Sequence, residues 1–256
     1  MEYIKEFTSK LEALDKSKGV YTVFKDFLTL SCCSLAQPFY RSDELEQRYK
    51  HIISEYTKEQ AEEFSQLLAL LVSAFEQKHQ DFLGEVFTQC DFGRSNKGQF
   101  FTPYRVSKLM SELTGYNVKK YSGSDIMTLC EPCCGSGGMI IAFAEAMLES
   151  GMNYQHRLYV EATDIDELCF KMTYIQLSIL GIPAKVIWGD SLSMRFNEVL
   201  YTPFYFLADF KTKLEERERM DKIRKIFTEL NTAPVEKEMP KLATTGANQL
   251  TLFNFL

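Results

Sequence analysis

The stretch Glu131-Pro132-Cys133-Cys134-Gly135-Ser136-Gly137-Gly138 constrains the fold of this chain more than any other. It follows a short apolar run, Asp125 to Cys130, and precedes a helical pattern from Met139 to Leu148. A Gly-rich turn between a strand and a helix lets backbone approach a ligand closely, and α/β proteins bind their ligands in the crevice beyond the strand ends. The alternation continues downstream. Arg157 to Thr163 predicts a second strand, Asp166 to Leu180 a helix, and Ala184 to Trp188 a third strand. Strand–helix–strand–helix–strand at this spacing implies parallel pairing with right-handed crossovers. A fourth apolar segment, Val199 to Leu207, reads as a further strand.

The flanks differ in pattern. Ile4, Phe7, Leu11 and Leu14 recur at helical spacing, and Gly19 offers a stop. Val20 to Ala36 is apolar on nearly every face, as a buried helix would be. Thr57 and Gln60 have the spacing of a capping box ahead of Phe64, Leu67, Leu68, Leu71 and Phe75. Asp91 to Gly98 breaks the helical pattern, Lys211 to Leu230 is a charged helix, and the remainder lacks periodicity. The expected organisation is therefore a helical N-terminal subdomain over 1–92, an α/β domain over 93–208, a helix over 209–231 and a loose tail over 232–256. With 256 residues, 45% of them apolar, the chain can bury one sizeable core.

Two acids join the Gly-rich turn at the ends of predicted strands. Asp164 ends the second, where a carboxylate can accept both hydroxyls of a ribose, and Asp190 ends the third. Either acid alone could equally cap the helix that follows it. Three strand ends that match together favour a ligand crevice. The turn lacks the GxGxxG spacing of dinucleotide sites, and Glu131 suits a cationic or hydroxyl-bearing ligand better than a pyrophosphate. The seven cysteines form an odd set, which fits a reducing cytosol. No second Cys/His cluster completes four zinc ligands around Cys130, Cys133 and Cys134, so no metal is expected. No apolar run reaches about 18 residues, and the charged N-terminus lacks the apolar centre of a secretion signal, so the expected setting is cytoplasmic, without membrane contact. A net charge of −6 does not steer the molecule towards nucleic acid.

These residues also carry a resemblance. Glu131 to Gly138 looks like the DPCCGSGG motif of the modification subunits of type I restriction–modification systems, with Glu in place of the usual Asp. Gly98-Gln99-Phe100-Phe101-Thr102-Pro103 matches their GQFFTP motif. Asp81 to Phe87 is similar to the DxLGxxY lead-in, and Gln176 to Ile182 resembles the helix before the family's third strand. The match spans about residues 80 to 195. It implies a Rossmann-like methyltransferase sheet that binds S-adenosylmethionine and transfers its methyl to adenine N6 in DNA. By this resemblance Gln99, Phe100 and Thr102 lie against the methionine part of the cofactor, alongside Pro132, Gly135, Ser136, Gly137 and Gly138 of the turn. Glu131 would face the amino-acid end, Asp164 the ribose, Ile165 the adenine ring and Asp190 the adenine amino group.

The family activates the adenine amine with NPP[YF], in which Asn and a Pro carbonyl accept the amine hydrogens and the aromatic ring stacks on the flipped base. None of the seven prolines here are adjacent, so the motif is absent. Its nearest remnant is Tyr201-Thr202-Pro203-Phe204, expected at the end of the fourth strand, with Pro203 and Phe204 as the degenerate catalytic pair. The expectation is an adenine-N6 methyltransferase that can depend on a specificity-type subunit to reach DNA. The alternative is a cofactor-binding relic that acts on DNA machinery or against restriction without chemistry. In the tail, Gln249-Leu250-Thr251-Leu252-Phe253 resembles the QL[SD]LF peptide that docks on the bacterial sliding clamp. Such a peptide needs an extended Gln and a Leu-Phe pair that fills an apolar pocket, here Gln249, Leu250, Leu252 and Phe253. The same apolar residues could instead fold back over the protein's own sheet.

Overall fold

The computed structural model describes residues 2–92, 101–115 and 126–232. It divides into two units, 1–217 and 218–256. Five helices open the first: α1 (Glu2–Leu14), α2 (Val20–Tyr40), α3 (Asp43–Ile53), α4 (Lys58–Gln77) and α5 (Phe82–Gln89). α1 buries Ile4, Phe7, Leu11 and Leu14, the stripe its spacing predicts. α2 is buried on most faces, from Val23 to Ala36. α4 begins at the predicted capping box, in which the Gln60 N–H donates to Thr57 Oγ1 at 3.3 Å and the Thr57 N–H donates to Gln60 Oε1 at 2.9 Å. α3, which the pattern did not reveal, starts at a Ser42 cap whose hydroxyl accepts from the Leu45 N–H.

α6 (Tyr104–Gly115) leads to the sheet: β1 (Met127–Glu131), α7 (Gly138–Glu149), α8 (Tyr154–Arg157), β2 (Leu158–Asp164), α9 (Glu167–Ile179), β3 (Ala184–Asp190), β4 (Arg195–Tyr201), α10 (Pro203–Leu207) and α11 (Phe210–Thr232). The strand order is β1-β2-β3-β4. β1, β2 and β3 are parallel and in register, with Glu131 opposite Ala162 and Asp164 opposite Trp188. Their carboxyl ends therefore share one edge, as the strand–helix alternation requires. The fold is α/β.

β4 departs from the expectation. It is antiparallel to β3, with Lys185 opposite Tyr201 and Asp190 opposite Arg195. The physical reason is the length of the connection. Only residues 191–194 separate the two strands, whereas a parallel return needs a crossover of about a dozen residues or more. The segment predicted as strand beyond Tyr201 is α10 instead, opened by Pro203 at a first-turn position that tolerates its missing N–H.

One apolar core runs from the N-terminal helices into the sheet. It includes Phe7, Phe27, Leu67 and Phe82 together with Ile140, Val160, Phe170 and Val186. Phe7 packs edge-on against Phe27 at 5.2 Å and against Phe82 at 5.3 Å. α9 lies against α2, and buried Lys171 on α9 donates to Thr29 Oγ1 at 2.9 Å while paired with Glu167. The helical layer thus packs against α9, which in turn supports the sheet. In the second unit, Arg224 and Asp221 form an exposed ion pair at 3.7 Å. No helix among the described residues is long and apolar enough to cross a membrane.

Candidate cofactor site

The Gly-rich turn is built from backbone that only glycine adopts without strain. Gly135 has φ +56° and Gly137 φ +93°, a region in which a side chain costs roughly 1–2 kcal/mol. The Gly137 N–H donates to Cys134 O at 2.9 Å, closing the turn, and the Cys134 N–H donates to Thr163 O at 2.9 Å, tying it to the end of β2. Thr173 Oγ1 on α9 donates to Gly135 O at 2.9 Å. The turn is therefore held from two neighbouring elements before any ligand arrives.

Asp164 stands beside it. Its Oδ2 accepts from the Gly135 N–H at 2.8 Å and its Oδ1 from the Asp166 N–H at 2.9 Å. The carboxyl is nearly buried, and that burial raises its pKa above the ordinary aspartate value. A carboxylate offers about four acceptor positions, so two are used by the backbone and two are left for donors from a ligand. A cavity of about 210 Å³ opens here, with Asp164, Gly135, Met139, Phe101 and Thr102 in its wall. A Cβ on Gly135 would come within 3.1 Å of the Phe101 ring, so the turn and the 101–103 segment form opposing sides of one slot.

The other expected residues are placed as follows. Thr102 joins this wall, whereas Gln99 and Phe100 lie outside the described residues. Ser136 and Gly138 are buried but border the slot, Gly137 is buried outside its lining, and Pro132 is exposed. Glu131 ends β1 and accepts weakly from the Cys133 N–H at 3.4 Å, and its carboxyl is pushed up by burial. Ile165 is 70% exposed at the carboxyl edge, its carbonyl accepting from Trp188 Nε1 at 3.2 Å, so an apolar side chain is available to a flat ring. Asp190 behaves differently. Its Oδ1 accepts from the N–H groups of Leu192 and Ser193, its Oδ2 accepts from Ser193 Oγ, and these bonds hold its pKa down. It caps the β3–β4 turn with three of its carboxylate's about four acceptor positions, which leaves one for an outside donor.

Reading the sequence assigned no role to Asp81, Thr173 or Gln176. Asp81 and Gln176 fell within quoted motif segments, but nothing in their own neighbourhoods shows that they meet at the turn.

A model of the N-6 DNA methylase family matches residues 78–231, well over half of the chain. The chain belongs to the N-6 DNA methylase family. Methyl transfer from S-adenosylmethionine is the chemistry of that family, and the site lies within the matched segment. No curated protein matches the chain. Among solved structures, a protein of Listeria monocytogenes described as a class I S-adenosylmethionine-dependent methyltransferase aligns at 14% identity with a TM-score of 0.38. The alignment covers 75% of this chain and 54% of that protein, so the chain spans about half its length.

In this member of the N-6 DNA methylase family the expected catalytic pair lies away from the slot. Because β4 runs antiparallel, Thr202 meets the start of β3, where its N–H donates to Ala184 O at 2.9 Å. That point lies roughly 13 Å back along the strand from Trp188, the residue level with Asp164, at about 3.3 Å per residue. Pro203 and Phe204 therefore occupy the edge opposite the slot. Phe204 packs against the His156 ring at 5.7 Å and lies close to Gly181. Asn197 is exposed on β4, beside the bulge at Trp188 and Gly189.

Proposed function

We propose that this chain is the cofactor-binding part of an adenine-N6 DNA methyltransferase of the type I modification-subunit kind, and that a partner subunit supplies the groups that activate the adenine amine. The observation that supports this reading most is the pairing of the Gly135 turn with the nearly buried Asp164 carboxylate on one side of the slot. Two backbone donors fix that carboxylate, and its remaining acceptors suit a vicinal diol. Ile165 offers an apolar surface for the adenine ring. Glu131, half-buried at the end of β1, suits the ammonium of the amino-acid end, and Thr102 closes the opposite side. When bound, S-adenosylmethionine supplies an electrophilic methyl on sulfonium. The chain's own residues hold the donor, orient it and shield part of it from water.

The position of Pro203 and Phe204 at the far edge favours a second reading, in which the chain binds the cofactor without turning over. The two readings share the site and differ in chemistry. A radiolabelled methyl-transfer assay on mixed-sequence DNA separates them, run with the isolated chain and then with a specificity-type subunit added. Activity that appears only with the subunit supports the first reading. Robust turnover by the isolated chain sinks the idea that the activating groups lie elsewhere. DNA would reach the protein through that subunit, since the net charge of −6 gives the chain little attraction of its own for a polyanion. The clamp-like peptide Gln249, Leu250, Leu252 and Phe253 lies outside the described residues. We assign it as a docking segment for a sliding clamp on its sequence alone.

A further inference from the structure

We infer that Asp81 is a positioning residue for the cofactor, one that locks the Gly-rich turn to the helical layer through Ser136 and Gln176. The inference rests on the reading of the slot as the S-adenosylmethionine site.

The geometry carries it. Asp81 precedes α5 and caps it, its Oδ1 accepting from the Gly84 N–H at 3.1 Å. Capping needs no more than that. Yet the same oxygen also accepts from Gln176 Nε2 at 2.9 Å, and Oδ2 accepts from Ser136 Oγ at 2.5 Å. Gln176 then spans the junction. Its Nε2 donates to Ser136 O at 2.7 Å as well, and its Oε1 accepts from the Leu83 N–H at 3.0 Å. The three side chains come from α5's cap, the Gly-rich turn and α9, far apart in sequence, and all are buried.

Two glycines exist to let this carboxylate in. A Cβ on Gly84 would sit 2.2 Å from Asp81 Oδ2 and 2.4 Å from Ser136 Oγ. A Cβ on Gly138 would sit 2.8 Å from the same Oδ2. Unlike Gly135 and Gly137, neither has a positive φ. Their missing side chains are explained by the close approach of Asp81 and not by backbone conformation. The first residue of α7 and the first turn of α5 thus close on one carboxylate, which also borders the cavity. Burial raises the Asp81 pKa while its three neutral donors lower it. A carboxylate held this way fixes the Ser136 backbone, and through it the Gly135 N–H that bonds Asp164.

The test is calorimetric titration of the full chain with S-adenosylmethionine, for wild type, Asp81→Asn, Ser136→Ala and the double variant. Thermal melting is recorded for each. Asp81→Asn and Ser136→Ala should each weaken binding about tenfold or more, the loss expected for a buried hydrogen bond to a charged group. The double variant should bind no more weakly than the worse single variant, because both remove one link. Phe204→Ala, which loosens the opposite edge of the sheet, serves as the control. It should lower the melting temperature without weakening binding, a separation that a merely structural role for Asp81 would not produce. Should Asp81→Asn not fold, Gln176→Met takes its place, since Gln176 bonds Asp81 from outside the slot wall, and its affinity decides. Unchanged affinity in the folded single variants, or losses that simply add, overturns the inference. Failure of the wild type to bind at all overturns the cofactor reading of the slot instead.

Discussion

Replacing Asp164 is the sharpest probe of the slot. Asp164→Ala deletes the acceptor for the Gly135 N–H at 2.8 Å and for the Asp166 N–H at 2.9 Å. Each is a charge-assisted bond of about 1.5–3 kcal/mol, so the turn itself loses roughly 3–6 kcal/mol of support. That is a large share of a domain's stability of about 5–15 kcal/mol, and the alanine variant tests folding as much as binding. Asp164→Asn is the better choice. Its single amide oxygen can serve only one of the two backbone donors, and its amine faces the other, which costs one bond. It also gives up one of the two acceptor positions proposed for the ribose hydroxyls, because an amide oxygen keeps a single lone pair once a backbone donor holds the other. At about 1.5–3 kcal/mol, that loss weakens binding by roughly 10–10²-fold. The assay is titration calorimetry with S-adenosylmethionine, with melting curves to establish that the variant is folded. A folded Asp164→Asn protein that binds within about twofold of wild type would falsify the assignment of this carboxylate to the cofactor.

Three further outcomes are expected. Phe204→Ala removes an aromatic contact with His156 and should destabilise the fold by about 1–3 kcal/mol in chemical denaturation. It should leave cofactor affinity unchanged; a large affinity loss would return Phe204 to the site. Burial raises the pKa of Asp164, Glu131 and Asp81, so in the folded chain these groups hold their protons to higher pH than in the unfolded chain. The stability they contribute is fully present below the ordinary aspartate value of 3.8 and glutamate value of 4.5, and falls as pH rises through the raised values. Cofactor affinity should run the other way, since hydroxyl and ammonium donors need the ionised forms. Titrations from mildly acidic to neutral pH would show binding strengthening, and a flat profile would contradict the assignment. For the tail, a labelled peptide spanning Gln249 to Phe253 should change polarisation when a bacterial clamp is added, and Leu252→Ala with Phe253→Ala should abolish the change. No response from the unmodified peptide discards that docking role.

Much of the architecture was legible in local pattern. The stripe of α1, the capping box of α4 and the alternation from β1 to β3 depend on side chains a few residues apart, and each stands where its spacing puts it. The same holds for the turn, because Gly135 and Gly137 meet a backbone demand that no other residue satisfies cheaply. The fourth strand was read less well. Its apolar content was visible, but its direction follows from how few residues separate it from β3, whose end at Asp190 is set by pairing with Arg195 of β4 itself.

By itself, then, the sequence determined the class of fold, the ligand turn and the acid that faces it, since all three are written in contiguous residues. Tertiary structure alone decided two further matters. It carried Pro203 and Phe204 to the edge opposite the slot, by making β4 a hairpin return. And it brought Asp81, Ser136 and Gln176 to one buried point. Hydrogen bonds between residues so distant in sequence leave no periodic trace, because they form only after the helical layer and the sheet have packed into one core.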